Sequence, residues 1–565
     1  MRSTTLAAIG TAFVLLACSS PTNPNDGSTG ADGSDGFDSM LGDSMSPSDV
    51  ASGGDGSSDC PAYQARCNGV CIPVSVDPDN CGGCGVVCTA SQVCAAGACS
   101  SACGTGLTAC TRQCVDTASD NANCGSCGRA CGTGMGCSGG QCVPSIAVNP
   151  GGIDCTGGGP PVELGGFPDG GTRCAGDVAS IMFRWALCSC HDITLSSRLL
   201  TDGFDSTRGP YHPGDLGGGV GANNRFGNSS TSDVWGTLWS ASTGGLGASA
   251  TTNAHNELHV NGNVSVSNVL TVGHNGYANG DVNASGMSSF GGELHVPAGA
   301  NVSSSITYAS LVRGPVMVPN PCDCSPSEIL PIGAIVNDAS MRNDDMRIGL
   351  DPAAFENPSG AARLDLPCGR YYLTRIASSN SVAIVAHGHT ALFVGGSINT
   401  SSTITITLDP TASLDLFVGG TLDTSSALTL GSVNYPALTR VYMGSTTGFH
   451  ISSTGTIGGN FYVPNGPVVA SAPLEVYGSV FAGDFSASST VSIHYDRAVL
   501  RVGETCHMPD PHPDAGVPDA GMGCTSCRDC ANQACVGGTC GACTSSADCC
   551  APLVCAGGVC LVAPK

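Results

Sequence analysis

The stretch Glu257-Leu-His-Val-Asn-Gly-Asn-Val264 decides the fold of this chain. Its second half returns 18 residues later as Asn279-Gly-Asp-Val282, and its first half returns 36 residues later as Glu293-Leu-His-Val296. Farther along, Leu392-Phe-Val-Gly-Gly396 returns 24 residues later as Leu416-Phe-Val-Gly-Gly420. Apolar and polar residues alternate in these segments, and Asn-Gly or Gly interrupts them, as expected of short strands joined by turns.

A repeat of about 18–24 residues in such sequence predicts a mainly β protein with a β-solenoid at its centre. In this fold, which is similar to a parallel β-helix, each coil buries its inward Val, Leu and Ile against the next coil. Val264 and Val282 should therefore stack in neighbouring coils with both side chains inward, while Ser265 points outward. The alternative is a β-sandwich body whose similar hairpins imitate a repeat.

Composition agrees with a thin, repetitive β architecture, because Gly accounts for 81 of 565 residues and aromatic residues for 5%. A chain of this length should form several domains. The net charge is −24 and Lys565 is the single lysine, so no basic stripe is available for nucleic acid. One short helix is expected within residues 174–201, because four apolar residues share a helical face: Val178, Ile181, Met182 and Trp185.

The amino terminus has the features of a lipoprotein signal peptide, which we assign to residues 1–17. Its apolar run, Leu6 to Leu16, is too short to span a bilayer. The run ends in Leu15-Leu-Ala-Cys18, which resembles the lipobox of bacterial lipoproteins and implies acylation of Cys18. Two or more acyl chains anchor a protein stably to a membrane. Because Ser19 follows, the expected location is the outer membrane or cell surface.

Residues 18–59 are rich in Asp, Gly and Ser and contain no Lys or Arg, which predicts a disordered acidic tether. The Asp-Gly steps at Asp26, Asp32 and Asp35 lack the ligand spacing and the closing Glu of a calcium loop.

The cysteines divide the rest of the chain into modules. Residues 60–143 hold two 43-residue repeats of eight Cys with identical spacing, namely Cys60, Cys67, Cys71, Cys81, Cys84, Cys88, Cys94 and Cys99, then Cys103, Cys110, Cys114, Cys124, Cys127, Cys131, Cys137 and Cys142. The body, residues 144–506, holds Cys155, Cys174, Cys188, Cys190, Cys322, Cys324, Cys368 and Cys506. After a Pro/Asp/Gly linker at 507–523, a knotted module at 524–561 holds Cys524, Cys527, Cys530, Cys535, Cys540, Cys543, Cys549, Cys550, Cys555 and Cys560.

Of the 35 Cys in the chain, all except Cys18 fall in even-numbered groups. In an exported chain we expect every one of these to form a disulfide, with the connectivity left open. Zinc or redox chemistry at Cys81-x-x-Cys84 and Cys124-x-x-Cys127 is disfavoured because the repeats contain no His. The run from Cys524 to Cys535 approaches ferredoxin spacing without matching it. We expect no metal and no cofactor.

Two segments resemble known families. The Asn-Cys-Gly-x-Cys-Gly-x-x-Cys pattern, present in both repeats of residues 60–142, resembles the Cys-rich repeat of the plant stigma-specific protein family. That resemblance implies an extracellular interaction or spacer module. Leu364-Asp-Leu-Pro-Cys-Gly-Arg-Tyr-Tyr-Leu373, Val476-Tyr-Gly-Ser-Val480 and Ile493-His-Tyr-Asp496 resemble an uncharacterised β-solenoid domain of exported bacterial proteins, over residues 320–500. No catalytic residue follows from this likeness.

Three sets of polar residues are candidates for chemistry. His387 and His389 should share a strand face as a possible metal pair, and exposed polar residues are the alternative reading. His494 and Asp496 also share a face, but no nucleophile elbow accompanies them. Carboxylates on an exposed solenoid sheet are typical of polysaccharide lyases and glycosidases, and three lie close in sequence: Asp409, Asp415 and Asp423.

The sequence therefore favours a non-enzymatic cell-envelope lipoprotein with a structural, adhesive or surface-interaction role and no catalytic residue. Its expected partners are the membrane, through the lipid, and an extracellular protein or polysaccharide, but not nucleic acid. The alternative is a polysaccharide-degrading enzyme, a lyase or a glycosidase, on the same scaffold.

Overall fold

The computed structural model describes residues 60, 62–149, 153–424, 426, 428–453 and 455–503, and four short strands near the carboxyl terminus. Those strands are β46 (Ala534–Val536), β47 (Thr539–Gly541), β48 (Leu553–Ala556) and β49 (Val559–Val562). The expected signal peptide, Cys18, tether and linker lie outside the described residues, as does most of the ten-Cys module.

Short antiparallel hairpins form both Cys-rich repeats. Their strands are β1 (Ala65–Cys67), β2 (Val70–Ile72), β3 (Val93–Ala95), β4 (Ala98–Ser100), β5 (Thr108–Cys110), β6 (Gln113–Val115), β7 (Met135–Ser138) and β8 (Gln141–Pro144). Each repeat closes four disulfides in the same order, Cys60–Cys71, Cys67–Cys84, Cys81–Cys94 and Cys88–Cys99, then Cys103–Cys114, Cys110–Cys127, Cys124–Cys137 and Cys131–Cys142. Because these modules have little apolar core, the bridges supply most of their stability.

The first part of the body begins with β9 (Glu163–Leu164), β10 (Arg173–Cys174) and α1 (Ala175–Met182). It continues with the strands β11 (Leu187–Ser189), β12 (Ile193–Leu195), β13 (Leu199–Phe204), β14 (Val220–Ala222), β15 (Phe226–Asn228), β16 (Ser232–Val234), β17 (Leu238–Ser240), β18 (Leu246–Ala248), β19 (Thr252–Ala254), β20 (Leu258–Val260), β21 (Val264–Val266), β22 (Leu270–Val272), β23 (Gly276–Ala278), β24 (Val282–Ala284), β25 (Ser288–Phe290), β26 (Glu293–Val296), β27 (Ile306–Thr307) and β28 (Ser310–Arg313).

The second part begins with α2 (Ile332–Met341) and α3 (Asp345–Ile348). Its strands are β29 (Ala362–Leu366), β30 (Gly369–Leu373), β31 (Ile376–Ser378), β32 (Val382–Ala386), β33 (His389–Val394), β34 (Ile398–Thr400), β35 (Ile404–Leu408), β36 (Ser413–Val418), β37 (Leu422–Thr424), β38 (Leu428–Gly431), β39 (Thr439–Met443), β40 (Phe449–Ile451), β41 (Gly455–Gly458), β42 (Asn460–Ala470), β43 (Leu474–Tyr477), β44 (Val480–Ala487) and β45 (Val491–Asp496). Short 3-10 turns lie at Thr156–Gly158, Pro436–Leu438 and Arg497–Leu500.

The body is a β-solenoid, as the sequence predicts, and all of its neighbouring coils pair in parallel. Val264 is the partner of Val282, and both side chains are fully buried. The sandwich alternative fails because its neighbouring strands would be antiparallel. Stacked corners explain the repeated Asn-Gly, since Asn279 Nδ2 donates to Asn261 Oδ1 at 2.9 Å. A Cβ on Gly280 would lie only 2.6 Å from the Gly262 carbonyl below it.

The coils are not stacked in sequence order. One sheet of 13 strands reads β27, β25, β22, β19, β16, β13, β45, β43, β41, β38, β35, β32 and β29, which at about 4.8 Å per strand spans about 58 Å. The first coil, β11–β13, therefore lies beside the last coil, which consists of β44 and β45, in the middle of the stack. From there the two parts of the chain extend in opposite directions.

A return segment, residues 314–331, links the far end of the first part to the beginning of the second. Cys188–Cys322 and Cys190–Cys324 bind it to the first coil. A third bridge, Cys155–Cys368, joins the segment before β9 to the turn between β29 and β30 in the second part. Cys174 is also disulfide-bonded, and Cys506 lies outside the described residues. The disulfides expected in the repeats and body are thus present wherever the structure describes both cysteines.

Helices cover part of the solenoid surface. The expected helix is shorter than the 174–201 segment: α1 ends at Met182, and Leu187 already lies in a strand. Its buried face holds Val178 and Ala179, whereas Ile181 is 46% exposed, so the expected apolar face was wrong in part. Helix α2, which was not expected, packs against β30, β33 and β36. It does so through apolar residues at helical spacing: Ile332, Ile335, Val336 and Ala339.

Candidate binding groove on the solenoid

An open, shallow groove of about 540 Å³, lined by residues of polar types, runs across the faces of β31, β34, β37 and β40. These strands point their first residues inward, where Ile376, Ile398 and Leu422 are fully buried. Their middle residues must then point outward. The groove is lined by Ser378, Asn399, Thr400, Ser401, Asp423, His450 and Ser452.

Strand register stacks the outward residues into one row. Asn399 is the direct partner of Asp423, and Leu422 pairs with Phe449, which places His450 on the next coil. All three outward side chains are exposed. With coils about 4.8 Å apart, the row from Asn399 to His450 is about 10 Å long. The groove thus offers an amide, a carboxylate and an imidazole at regular intervals, with the exposed Ser401 and Ser452 beside them.

Short local hydrogen bonds orient two of these groups. Asp423 Oδ2 accepts from Thr421 Oγ1 at 2.6 Å. His450 Nε2 lies 3.1 Å from the Thr447 carbonyl oxygen, an acceptor, so the neutral ring carries its proton on Nε2. This arrangement leaves groups of both hydrogen-bonding types directed at the groove. Such a surface fits a polyhydroxylated ligand.

The three candidate aspartates do not form a cluster. Asp415 is fully buried and forms a two-point ion pair with Arg440, at 2.7 and 2.6 Å. Asp409 follows β35 and accepts from His387. Only Asp423 reaches the groove, because successive strands of one coil belong to different sides of a solenoid. Among the described groove residues there is one carboxylate, whereas the usual glycosidase mechanism needs two.

His387 and His389 do not share a strand face, because β32 ends before His387 and β33 begins at His389. The His387 ring lies between two carboxylates from the neighbouring coils, with 2.7 Å to Asp365 and 2.7 Å to Asp409. Burial lowers the pKa of His387, but the two carboxylates outweigh it and raise that pKa to about 9. His389 is buried, and its Nδ1 lies 3.0 Å from Ser413 Oγ. The two rings therefore do not converge on a metal position.

Asp365 also belongs to the contact between the solenoid and the second Cys-rich repeat. Arg363, only 1% exposed, donates to Asp365 and to the backbone carbonyls of Ser119 and Cys137. Burial raises the pKa of Asp365, but hydrogen bonds from His387 and Arg363 bring it down to about 2. The repeat thereby covers the β29 end of the solenoid. Sequence reasoning missed Arg363, because its partners are backbone atoms far away in the chain.

His494 and Asp496 lie where the first and last coils meet. His494 Nδ1 is 2.7 Å from Asp202 Oδ1, and Tyr211 donates to Asp202 Oδ2 at 2.7 Å. Asp496 is fully buried and accepts from Ser206 Oγ at 2.5 Å and Ser206 N at 2.9 Å. Burial raises the pKa of the Asp496 carboxyl.

Aromatic rings enclose the imidazole of His494, with the centroids of Tyr211 and Tyr477 at 4.3 and 4.7 Å. The second ring nitrogen of His494 faces Glu475 Oε1 at 3.6 Å, rather than a serine or cysteine nucleophile. This network therefore joins the two parts of the body and lacks the arrangement of a hydrolase triad.

A second row of stacked side chains, which sequence reasoning also missed, follows the first part of the body. Trp239, His259, Tyr277 and His295 stack face to face with centroids 4.0, 4.6 and 4.7 Å apart. Their positions, 18 or 20 residues apart, follow the coil period and were a usable signal. Because each ring stacks on the ring of the next coil, this row stabilises coil stacking.

The solenoid and its bridged repeats define a disulfide-rich β-solenoid protein. Residues 325–502 match the family described as a domain of unknown function (DUF7305), and residues 45–102 match the Stigma-specific STIG1-like protein family. The first match covers α2 to β45, including the groove. The second reaches only the first repeat, so it is shorter than the expected resemblance over residues 60–142. No curated protein and no solved structure matches the chain significantly.

Proposed function

We propose that this protein is an exported lipoprotein that binds polysaccharide in the groove of Asn399, Asp423 and His450 and catalyses no reaction on it. The observation that carries the proposal is the composition of that groove, which is open, lined by hydroxyl, amide and imidazole groups, and supplied with one carboxylate. These groups can hold a polyhydroxylated chain by hydrogen bonds. A single carboxylate does not supply the acid and nucleophile or base of a glycosidase.

Its place outside the cell is supported by the many disulfides of the repeats and the body, which persist in oxidising compartments. In the described residues no helix is long and apolar enough to cross a membrane. Attachment would instead come from acylated Cys18, with the Asp-rich segment to residue 59 as a tether and the Cys-rich repeats as protected spacers or interaction modules.

The test is a binding screen of the full chain against a polysaccharide panel by affinity electrophoresis. We expect retardation by at least one polysaccharide, weakened about tenfold or more by Asn399→Ala and by Asp423→Asn. Asn283→Ala is the matched control, because Asn283 is also an exposed middle residue of a solenoid strand but lies outside the groove.

Product formation separates the two function classes. The same polysaccharides are incubated with the protein, and new reducing ends and unsaturated sugars are measured. We expect neither to accumulate. Turnover that disappears in Asp423→Asn would replace the binding role with the enzymatic one, and unaltered binding by both groove variants would remove the groove from the proposal.

A further inference from the structure

The three sides of the solenoid differ in what covers them in the second part of the body. On the side of β33 and β36, helix α2 packs against both strands, and the outward rings of Phe393 and Phe417 are buried. On the side of β29 and β32, the outward residues Ala383 and Val385 are buried, and Arg363 binds the second Cys-rich repeat. The third side, which carries the groove, keeps its outward residues exposed. This is the side that a ligand can reach.

The open side continues past the groove and across the join between the last and first coils. Strand register extends the row of Asn399, Asp423 and His450 through β42, β44, β12 and β15. The outward residues there have short side chains, and none of them is buried: Val469, Ser486, Thr194 and Gly227. The row from Asn399 to Gly227 makes six steps of about 4.8 Å and is thus about 29 Å long.

A row of serines runs beside these outward residues. In six of the coils, the residue directly after the strand is a serine with an exposed side chain: Ser401, Ser452, Ser471, Ser488, Ser196 and Ser229. Each serine lies two residues after a member of the outward row and so faces the same side. The backbone holds the row in register, because Ser488 N donates to the Ala470 carbonyl at 3.0 Å and Ser196 N to the Ala487 carbonyl at 2.9 Å. The open side therefore presents hydroxyl groups at the coil spacing.

A buried hydroxyl at the groove indicates a bound molecule independently of these rows. Thr400 is 6% exposed and lines the groove. Its buried Oγ1 has no hydrogen-bond partner in the described structure. A buried hydroxyl without a partner is unfavourable, and a hydroxyl group of a sugar in the groove can supply one.

Arg225 marks where the open row ends, and the charges along the row indicate the class of ligand. A Cβ on Gly247, the next outward residue, would clash with the Arg225 guanidinium, which therefore lies across the row at β18. Between the groove and this guanidinium lie the exposed carboxylates of Asp423, Asp484 and Asp192. Together with the net charge of −24, they repel an acidic polysaccharide but not a neutral one.

We propose that the groove is one end of an axial track that holds a neutral linear polysaccharide parallel to the solenoid axis. The track consists of the outward row from Asn399 to Gly227 and the serines beside it. This inference rests on the proposed function, because it requires polysaccharide in the groove, and it adds the length, charge and direction of the bound chain. Thr194 and Gly227 lie outside the segment that matches the domain family, so both parts of the body contribute to the track.

Isothermal titration calorimetry of the full chain tests the track. The probes are neutral fragments of xylan, mannan and mixed-linkage glucan, each as the trisaccharide, which covers only the groove, and as the octasaccharide, which reaches past Thr194. In at least one series we expect the octasaccharide to bind at least about tenfold tighter than the trisaccharide. Thr194→Trp places an indole across the track, and it should remove this tenfold difference while leaving trisaccharide binding unchanged. Unchanged trisaccharide binding also shows that the variant is folded.

Ser265→Trp is the matched control, because Ser265 is an exposed outward residue of the same side that lies beyond Arg225. It should leave both affinities unchanged. Equal affinities for the two fragment lengths, or octasaccharide binding that tolerates Thr194→Trp, would overturn the track. If no fragment binds although a polysaccharide of the panel is retarded and Asn399→Ala weakens that retardation, the track is overturned and the groove stands. Absence of binding in both experiments would remove the proposed function together with the track.

Discussion

Asp202 and His494 are 292 positions apart in the chain, and yet Oδ1 of the first lies 2.7 Å from Nδ1 of the second. They face one another because β13 and β45 are adjacent, with six residue pairs in register from Leu199–Val491 to Phe204–Asp496. The two parts of the body thus close on each other through their chain ends. Neither part forms the 13-stranded sheet alone, because that sheet is continuous only through the pairing of β13 with β45. Folding therefore depends on pairing between strands that are far apart in the chain.

Coil stacking makes a quantitative prediction at Val264 and Val282. Truncating either valine to alanine removes two methyl groups from a fully buried site and should lower the free energy of unfolding by about 1–3 kcal/mol. Ser265→Ala, at the exposed position between Val264 and Val266, should cost less than about 0.5 kcal/mol. Guanidinium denaturation with the disulfides intact measures both. Equal losses at the two kinds of position would contradict the inward assignment.

The buried ion pair of Asp415 and Arg440 should respond asymmetrically to mutation. Asp415→Ala leaves a fully buried guanidinium without its carboxylate and should cost about 3–5 kcal/mol of unfolding free energy. The double change Asp415→Leu with Arg440→Met should recover most of that loss, because no charge then remains buried. Asp169→Ala is the control, since its pair with Arg173 is exposed and its loss should change the free energy of unfolding far less. A double variant as unstable as Asp415→Ala would refute this reading.

Asp345 should make the stability depend on pH. Burial raises the pKa of this carboxyl to about 6, and the nearby Asp344 adds to that effect. Because the folded state holds the proton more tightly than the unfolded state, this residue lowers stability as pH rises from about 4 to 6. Asp345→Asn should therefore stabilise the protein by about 1 kcal/mol at pH 7.5 and have no effect at pH 4.

Tyr372 N donates to Asp345 Oδ1 at 3.0 Å, and asparagine keeps this acceptor. Melting temperatures of wild type and variant across that pH range provide the measurement. Asp351→Asn is the control, because Asp351 is exposed and its side chain accepts only from a local backbone N–H in the described structure. A stabilisation by Asp345→Asn that is the same at pH 4 and pH 7.5 would argue against the buried carboxyl as its cause.

The proposed membrane attachment depends on acylation of Cys18, which lies outside the described residues. Cys18→Ala should abolish incorporation of a labelled fatty acid and release the protein from the membrane fraction, because no other anchor is expected. Ser19→Ala should retain the label and serves as the control. Persistent labelling of the Cys18→Ala variant would show that the anchor is elsewhere.

The solenoid could be predicted because Val264 and Val282 recur with the coil period. The order of the coils could not be predicted from the sequence, because every coil offers its neighbours the same backbone pairing and similar inward residues. The paired spacings of Cys188 with Cys190 and Cys322 with Cys324 were the available clue that the first coil and the return segment meet.

The three candidate aspartates do not form a cluster, and the reason is geometric. Asp409, Asp415 and Asp423 are near in sequence, but residues within one coil belong to different sides. Residues one coil apart are the ones that meet: Asn399 and Asp423 are 24 positions apart and are direct partners, and His387 reaches Asp365 and Asp409, each 22 positions away. In a solenoid, a search for clustered side chains should use the coil period as its interval.

The position of the first coil beside the last makes the body suited to circular permutation. Joining the chain near Val502 to the chain near Cys174, and opening it within residues 314–331, would give a polypeptide that passes through the coils in their spatial order. In that permuted gene, the segment 325–502 that matches the domain family would come first and the coils of residues 187–313 would follow as a continuous extension. The native gene order thus interrupts a stack that could be encoded, lengthened or shortened one coil at a time.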